Sequence, residues 1–313
     1  MTVAPATEQT QEHPDRQLAH ERRSGWMLAL LATFAFSFAP PVARAAITGG
    51  FNSTTLLMLR AVIATALLGI TLAMTDRQML RLPRRGLGAM LFLGAVNAVG
   101  MLLFFSSLNY LDSSLTAMIL ALSPPMVISL LALRGERLSG RDLLRLGIAL
   151  VGVFFLIGPT GRVDWFGAAL ALAATFLFSF QLAFTQWALI AYPSRTISFY
   201  VTASMALFVA LYWWLAGAEW VAPTAGGWLA VVMLAFVSTY LARLSYYSAV
   251  RKIGSGQIAL LGPLETLLSV IWSILFLDER LSPLQTFGGV LILGSALLAV
   301  RTFRTVNLRI PRR

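Results

Sequence analysis

The chain has 313 residues, 58% of them hydrophobic and 12% charged, with a net charge of +11 and a mean hydropathy of +0.77. Soluble domains carry about a quarter charged residues, so this composition excludes a water-soluble globule and makes a bilayer the natural solvent. The absence of cysteine excludes disulfides and thiolate metal sites, and both histidines, His13 and His20, lie in the polar N-terminal stretch.

Residues 1–24 are polar and of mixed charge and read as a disordered cytoplasmic tail. Ten apolar runs follow, each near the roughly 20 residues a helix needs to cross the hydrocarbon core. They cover 26–47, 54–75, 86–108, 113–133, 141–158, 164–190, 196–216, 226–248, 255–276 and 283–301. Residues 302–313 form a basic tail. The first run ends in Ala43-Arg44-Ala45, which matches the small-residue pattern of a signal-peptide cleavage site, so it reads as a cleaved leader or a retained helix.

Basic residues orient the bundle. Counted over alternate loops, nineteen Lys and Arg fall on one side and three, Arg44, Arg162 and Arg280, on the other. The positive-inside rule then places both termini in the cytoplasm. The +11 charge is thereby a topology signal, and no nucleic-acid partner is expected.

The chain repeats itself at an offset of 142 residues. Ala32-Thr-Phe-Ala-Phe-Ser-Phe38 matches Ala174-Thr-Phe-Leu-Phe-Ser-Phe180, and Gly25, Thr54, Ala61, Ser106 and Gly152 meet Gly167, Thr196, Ala203, Ser248 and Gly294. Gly135-Glu136-Arg137-Leu138-Ser139 answers Asp278-Glu279-Arg280-Leu281-Ser282 at 143. A copy at 174–180 cannot be a leader, so the first run is a retained helix. Each unit holds five spans, an odd number, so the second enters the membrane from the opposite face. The expected fold is all-α integral membrane, with ten transmembrane helices as two inverted-topology repeats, 25–158 and 164–301.

With these motifs in view, the chain resembles the EamA-type, ten-helix members of the drug/metabolite transporter superfamily. The resemblance rests on LGPLETLLSVIWSILFLDERLSPLQTFGGVLILGSALLAV at 261–300 and a weaker copy, LSPPMVISLLALRGERLSGRDLLRLGIALVGV, at 122–153. One departure is that Pro263 precedes Glu279 by 16 residues whereas Pro124 precedes Glu136 by 12. The resemblance implies export of small metabolites across the bacterial inner membrane, with bacterial aromatic amino-acid exporters as the nearest branch.

Charges at membrane depth are costly and mark candidate sites. Glu265 can pair with a substrate ammonium or exchange a proton, or it can be a structural acid paired within the bundle. Arg243 and Arg60 can attract a carboxylate, snorkel or pair between helices, and Arg60 can also serve a gate. Asn97 and its repeat partner Thr239 can bond a ligand or a neighbouring helix. Tyr240 offers a ring and a hydroxyl, and Met101 lies one turn beyond Asn97 as an adaptable pocket residue. Phe34 with Phe38, and Phe176 with Phe180, share helix faces by i,i+4 spacing and make an aromatic wall or plain packing, with Ser37 and Ser179 between them. Pro40, Pro41, Pro124, Pro125 and Pro263 interrupt three spans as kinks or hinges. Tyr246, Tyr247 and most tryptophans read as interface anchors.

The expected function is alternating-access export of amino acids, aromatic or hydrophobic ones favoured, with no cofactor and with the substrate and the bilayer as partners. Drugs, amines or nucleobases are the alternative cargo. An integral-membrane enzyme is the alternative class, opposed by the lack of cysteine, of histidine in the spans and of paired mid-membrane carboxylates. No G-x-x-x-x-G-K-[ST] motif supports ATP drive within the chain.

Overall fold

The computed structural model describes residues 12–75, 83–132, 140–157, 164–189, 192–218, 220, 223–254, 258 and 261–303. Among them every regular element is a helix: α1 (Glu12–Ser37), α2 (Ala39–Thr48), α3 (Ser53–Thr75), α4 (Arg84–Ser107), α5 (Ser113–Leu120), α6 (Ser123–Ala132) and α7 (Gly140–Ile157) in the first half. The second half holds α8 (Trp165–Phe184), α9 (Ser194–Leu215), α10 (Ala225–Ala235), α11 (Ala242–Ile253), α12 (Gly262–Leu277) and α13 (Pro283–Phe303). Single π-helical turns, Thr185–Leu189 and Phe236–Leu241, extend α8 and join α10 to α11. Six helical runs are long and apolar enough to cross a bilayer, and Ser113–Val127 and Gly262–Leu277 are shorter apolar helices. Helix begins at Glu12, so residues 12–24 continue α1 where a disordered tail was expected.

Helices break where prolines begin them. Pro40 and Pro41 stand at the start of α2, Pro124 and Pro125 in the first turn of α6, and Pro263 in the first turn of α12. First-turn amides have no partner within the helix, so proline, which lacks one, is tolerated there. The spans expected at 113–133 and 255–276 are therefore not continuous kinked helices. The first is cut at Ala121–Leu122, and in the second α12 begins only at Gly262.

The two halves interleave with exchanged contacts. α1 packs on α11 as α8 packs on α4; α4 packs on α9 as the α10–α11 run packs on α3; α5 meets α12, and α7 lies along α13. Small residues set the closest approaches. A Cβ on Gly94 would sit 2.2 Å from Ser204 Cβ, and one on Gly152 2.8 Å from Ile292 and 2.9 Å from the Gly288 carbonyl oxygen. α7 and α13 thus approach closely at Gly152.

Arg44, inside the apparent cleavage site, is built into the fold. It donates to the Leu108 carbonyl and pairs with Asp112 at 3.5 Å, while Ala43 is fully buried. At the same end of the bundle, Asp278 adopts a left-handed conformation (φ 53°) at the end of α12. Asp tolerates this better than most residues, while the first-copy turn with Gly135 and Glu136 lies outside the described residues. The turn delivers the Glu279 carboxylate to the first turn of α5, where it accepts from Ser113 N (2.9 Å), Ser113 Oγ (2.6 Å) and Ser114 N (2.9 Å).

Candidate functional site

A cavity of about 230 Å³ lies between the halves, lined by α1, α2, α3, α4, α5, α6, α8, the second π turn, α11 and α12. Nine pairs of its lining residues are separated by the repeat offset of 142. Thr33 pairs with Thr175, Phe36 with Phe178, Ala39 with Gln181, Pro40 with Leu182 and Met101 with Arg243. Phe104 pairs with Tyr246, Leu120 with Gly262, Ser123 with Glu265 and Pro124 with Thr266. The walls are thus equivalent in backbone and unlike in chemistry. Where the first half offers Ala39, Met101, Phe104 and Ser123, the second offers Gln181, Arg243, Tyr246 and Glu265.

A chain of hydrogen bonds fixes the polar wall. Arg243 donates to Asn97 Oδ1, Asn97 Nδ2 donates to Gln181 Oε1, and Gln181 Nε2 donates to Tyr247 Oη at 3.3 Å. The circuit links α11, α4 and α8. The arginine accepts nothing, so it dictates which way the Asn97 amide faces and hence that of Gln181.

Arg60, from α3, reaches the same cavity with 2% of its surface exposed, so it does not snorkel. Glu265 occupies the first turn of α12, where the positive end of the helix dipole favours a carboxylate. It was expected in mid-helix; the break before Gly262 is what makes it a terminal residue. Among the described residues it is the only acid lining the cavity, and no ion pair to it is present.

Of the residues picked from sequence, the cavity gathers Pro40, Arg60, Asn97, Met101, Pro124, Arg243 and Glu265. The aromatic wall is a correction. Phe34 and Phe38 do share a face, with ring centroids 5.1 Å apart, but that face packs on Trp272 of α12. Ser37 there accepts from Trp272 Nε1 at 3.1 Å. Phe34 is 45% and Phe176 49% exposed, while Phe180 packs against Phe92 and Phe184. The cavity instead receives the other face of each copy, Thr33 with Phe36 and Thr175 with Phe178. Ser179 donates to Ser123 Oγ at 2.9 Å and so ties α8 to the start of α6.

Three more positions move. Thr239 donates to the Leu234 carbonyl five residues back, the register of the π turn, and Ser238 takes the lining position. Tyr240 bonds Thr71 Oγ1 at 2.8 Å and stacks on Phe236, away from the cavity. Pro41, Pro125 and Pro263 are buried beside the cavity-lining residues and do not line it themselves. Tyr246 and Tyr247, expected as interface anchors, both line the cavity. Identity across the copies did not mark the lining face, because Phe34 with Phe176 and Phe38 with Phe180 are identical too; Gln181, the in-span amide next to the second copy, was the available signal.

These features define a polytopic helical membrane protein whose two homologous halves share one charged central cavity. The chain belongs to the EamA-like transporter family, which matches residues 23–158 and again 165–301. It is similar to an uncharacterized transporter of Archaeoglobus fulgidus, 22% identical over 212 residues, 68% of this chain and 76% of that protein. A crystal structure with 21% sequence identity shares the fold at a TM-score of 0.65, over 91% of this chain and 99% of its own. The protein is a multi-pass membrane transporter.

Proposed function

We propose that this transporter exports amino acids, hydrophobic and aromatic ones favoured, across the bacterial inner membrane by alternating access. The observation that carries the reading is the cavity shared by equivalent positions of both halves. It sets Arg60, Arg243 and Glu265 beside Phe36, Phe104, Phe178 and Tyr246. An α-amino acid presents a carboxylate, an ammonium and a side chain, and these walls hold a complement for each.

The size of the cavity favours the same cargo. At about 230 Å³ it falls below the roughly 300 Å³ at which pockets for drug-sized ligands begin, which argues for a small metabolite over bulky drugs. Five spans per repeat invert the second copy, so rocking of one half against the other exposes the cavity to each face in turn. Both termini face the cytoplasm in this arrangement, as the basic loops require.

Counterflow in liposomes tests the reading. Radiolabelled amino acid accumulates against unlabelled amino acid trapped inside if the protein is an alternating-access carrier. Dissipation without accumulation means a channel, and accumulation of amines or nucleobases alone moves the substrate class.

A further inference from the structure

Two guanidinium groups converge on one face of α4. Arg60 Nη2 rests 3.6 Å from Met101 Sδ, and its Cζ lies 4.9 Å from the centre of the Phe105 ring. Arg243 Nη2 donates to Asn97 Oδ1 and lies 3.4 Å from Met205 Sδ. Asn97 and Met101 are one turn apart on α4, about 6 Å along its axis, so the two like charges are held at successive turns of one helix face. Thioethers and aromatic faces hold a guanidinium in place without neutralising it.

Both arginines are buried, at 2% and 4% exposure, and both line the cavity. Arg60 Nε, Arg60 Nη1 and Arg243 Nη1 have no hydrogen-bond partner. Buried charged donors left unpaired are expensive, and the ion pair of Arg44 with Asp112 lies elsewhere. The N-terminal ends of α6 and α12 add positive potential, since Ser123 and Gly262 line the cavity too.

We propose that Arg60 and Arg243 together seat one carboxylate of the cargo, and that a free carboxylate is the condition for entry to the site. The inference rests on the central cavity being the transport site. With Glu265 the only acid among the described lining residues, the two guanidinium groups leave the cavity net positive whether or not Glu265 is ionised, which suits an anionic group. Forked guanidinium donors match the two oxygens of a carboxylate.

Four probes of one shape test this on the purified full-length protein: L-phenylalanine, 3-phenylpropionate, L-phenylalaninamide and 2-phenylethylamine, titrated calorimetrically. At least one of the two carboxylates binds, while the amide and the amine bind far more weakly. Arg60→Gln, whose partners here are only sulfur and ring, weakens carboxylate binding by about 10- to 100-fold, the range for loss of charged hydrogen bonds. It does not lower the unfolding midpoint, since it removes unpaired buried donors, and Arg60→Lys recovers part of the loss. If Arg60→Gln fails to fold, the wild-type preference for acid over amide decides alone. Binding of 3-phenylpropionate but not phenylalanine supports the carboxylate seat and removes the amino-acid reading. Amide or amine binding as tight as that of the acids, unchanged acid affinity in folded Arg60→Gln, or binding by neither acid overturns the proposal.

Discussion

Ser123 and Glu265 occupy equivalent positions of the two repeats, 142 residues apart, and both face the central cavity from the first turn of a helix. The same backbone site thus carries a hydroxyl on one side and a carboxylate on the other. Duplication supplied the symmetry of the cavity, and substitution at paired sites supplied its polarity.

Glu265 is the candidate for proton coupling because no other described acid lines the cavity. Glu265→Gln should keep a weakened counterflow, having lost the partner of the cargo's ammonium, and lose flux driven by a pH gradient. Unchanged pH dependence in reconstituted mutant protein would sink the idea.

Lining and non-lining phenylalanines separate cleanly. Phe36→Ala and Phe178→Ala should alter substrate affinity several-fold in competition assays, since both rings face the cavity. Phe34→Ala and Phe176→Ala, at exposed positions, should leave it unchanged. Equal effects at the two sets would place the substrate elsewhere.

Glu279 ties the turn after α12 to α5 through three hydrogen bonds at the start of that helix. Charge-assisted bonds of this kind contribute about 1.5–3 kcal/mol, and Glu279→Ala should lower stability by that order. Thermal unfolding in detergent measures it, with Glu279→Gln, which keeps one acceptor oxygen, falling between.

Gly94 and Gly88 lie on the same helix and should respond oppositely to alanine. The Gly94 Cβ would collide with Ser204, an overpacking that costs roughly 1–3 kcal/mol. Nothing lies within 4 Å of a Cβ at Gly88, so there the gain in helix propensity, at most about 1 kcal/mol, should prevail. Unfolding midpoints of the two variants decide this.

Asp112, in the connection between α4 and α5, has its carboxyl raised above the ordinary range by burial first and by the charge of Glu279 second, with Arg44 opposing. The folded state therefore holds this proton more tightly than the unfolded state. Its contribution is fully favourable below the ordinary carboxylate pKa and is lost as pH rises through the raised folded value. Asp112→Asn should flatten that part of the profile of unfolding midpoint against pH; an unaltered profile would contradict it.

Much of this was legible in the sequence because hydropathy, charge placement and self-similarity are properties of the chain alone. A 20-residue apolar run has few options in a bilayer, since its backbone must satisfy itself, so the spans follow from composition. The repeat and the buried charges Arg60, Arg243 and Glu265 were readable for the same reason. The tertiary structure alone decided which face of each helix meets the cavity. Phe34 and Phe36 are two residues apart in one motif, yet one packs outward near Trp272 and the other lines the site. In a helix that is apolar all round, no periodicity separates a face turned to lipid from one turned to a neighbour or a cavity. Only packing against α12, and the breaks that proline starts impose before α6 and α12, resolve that choice.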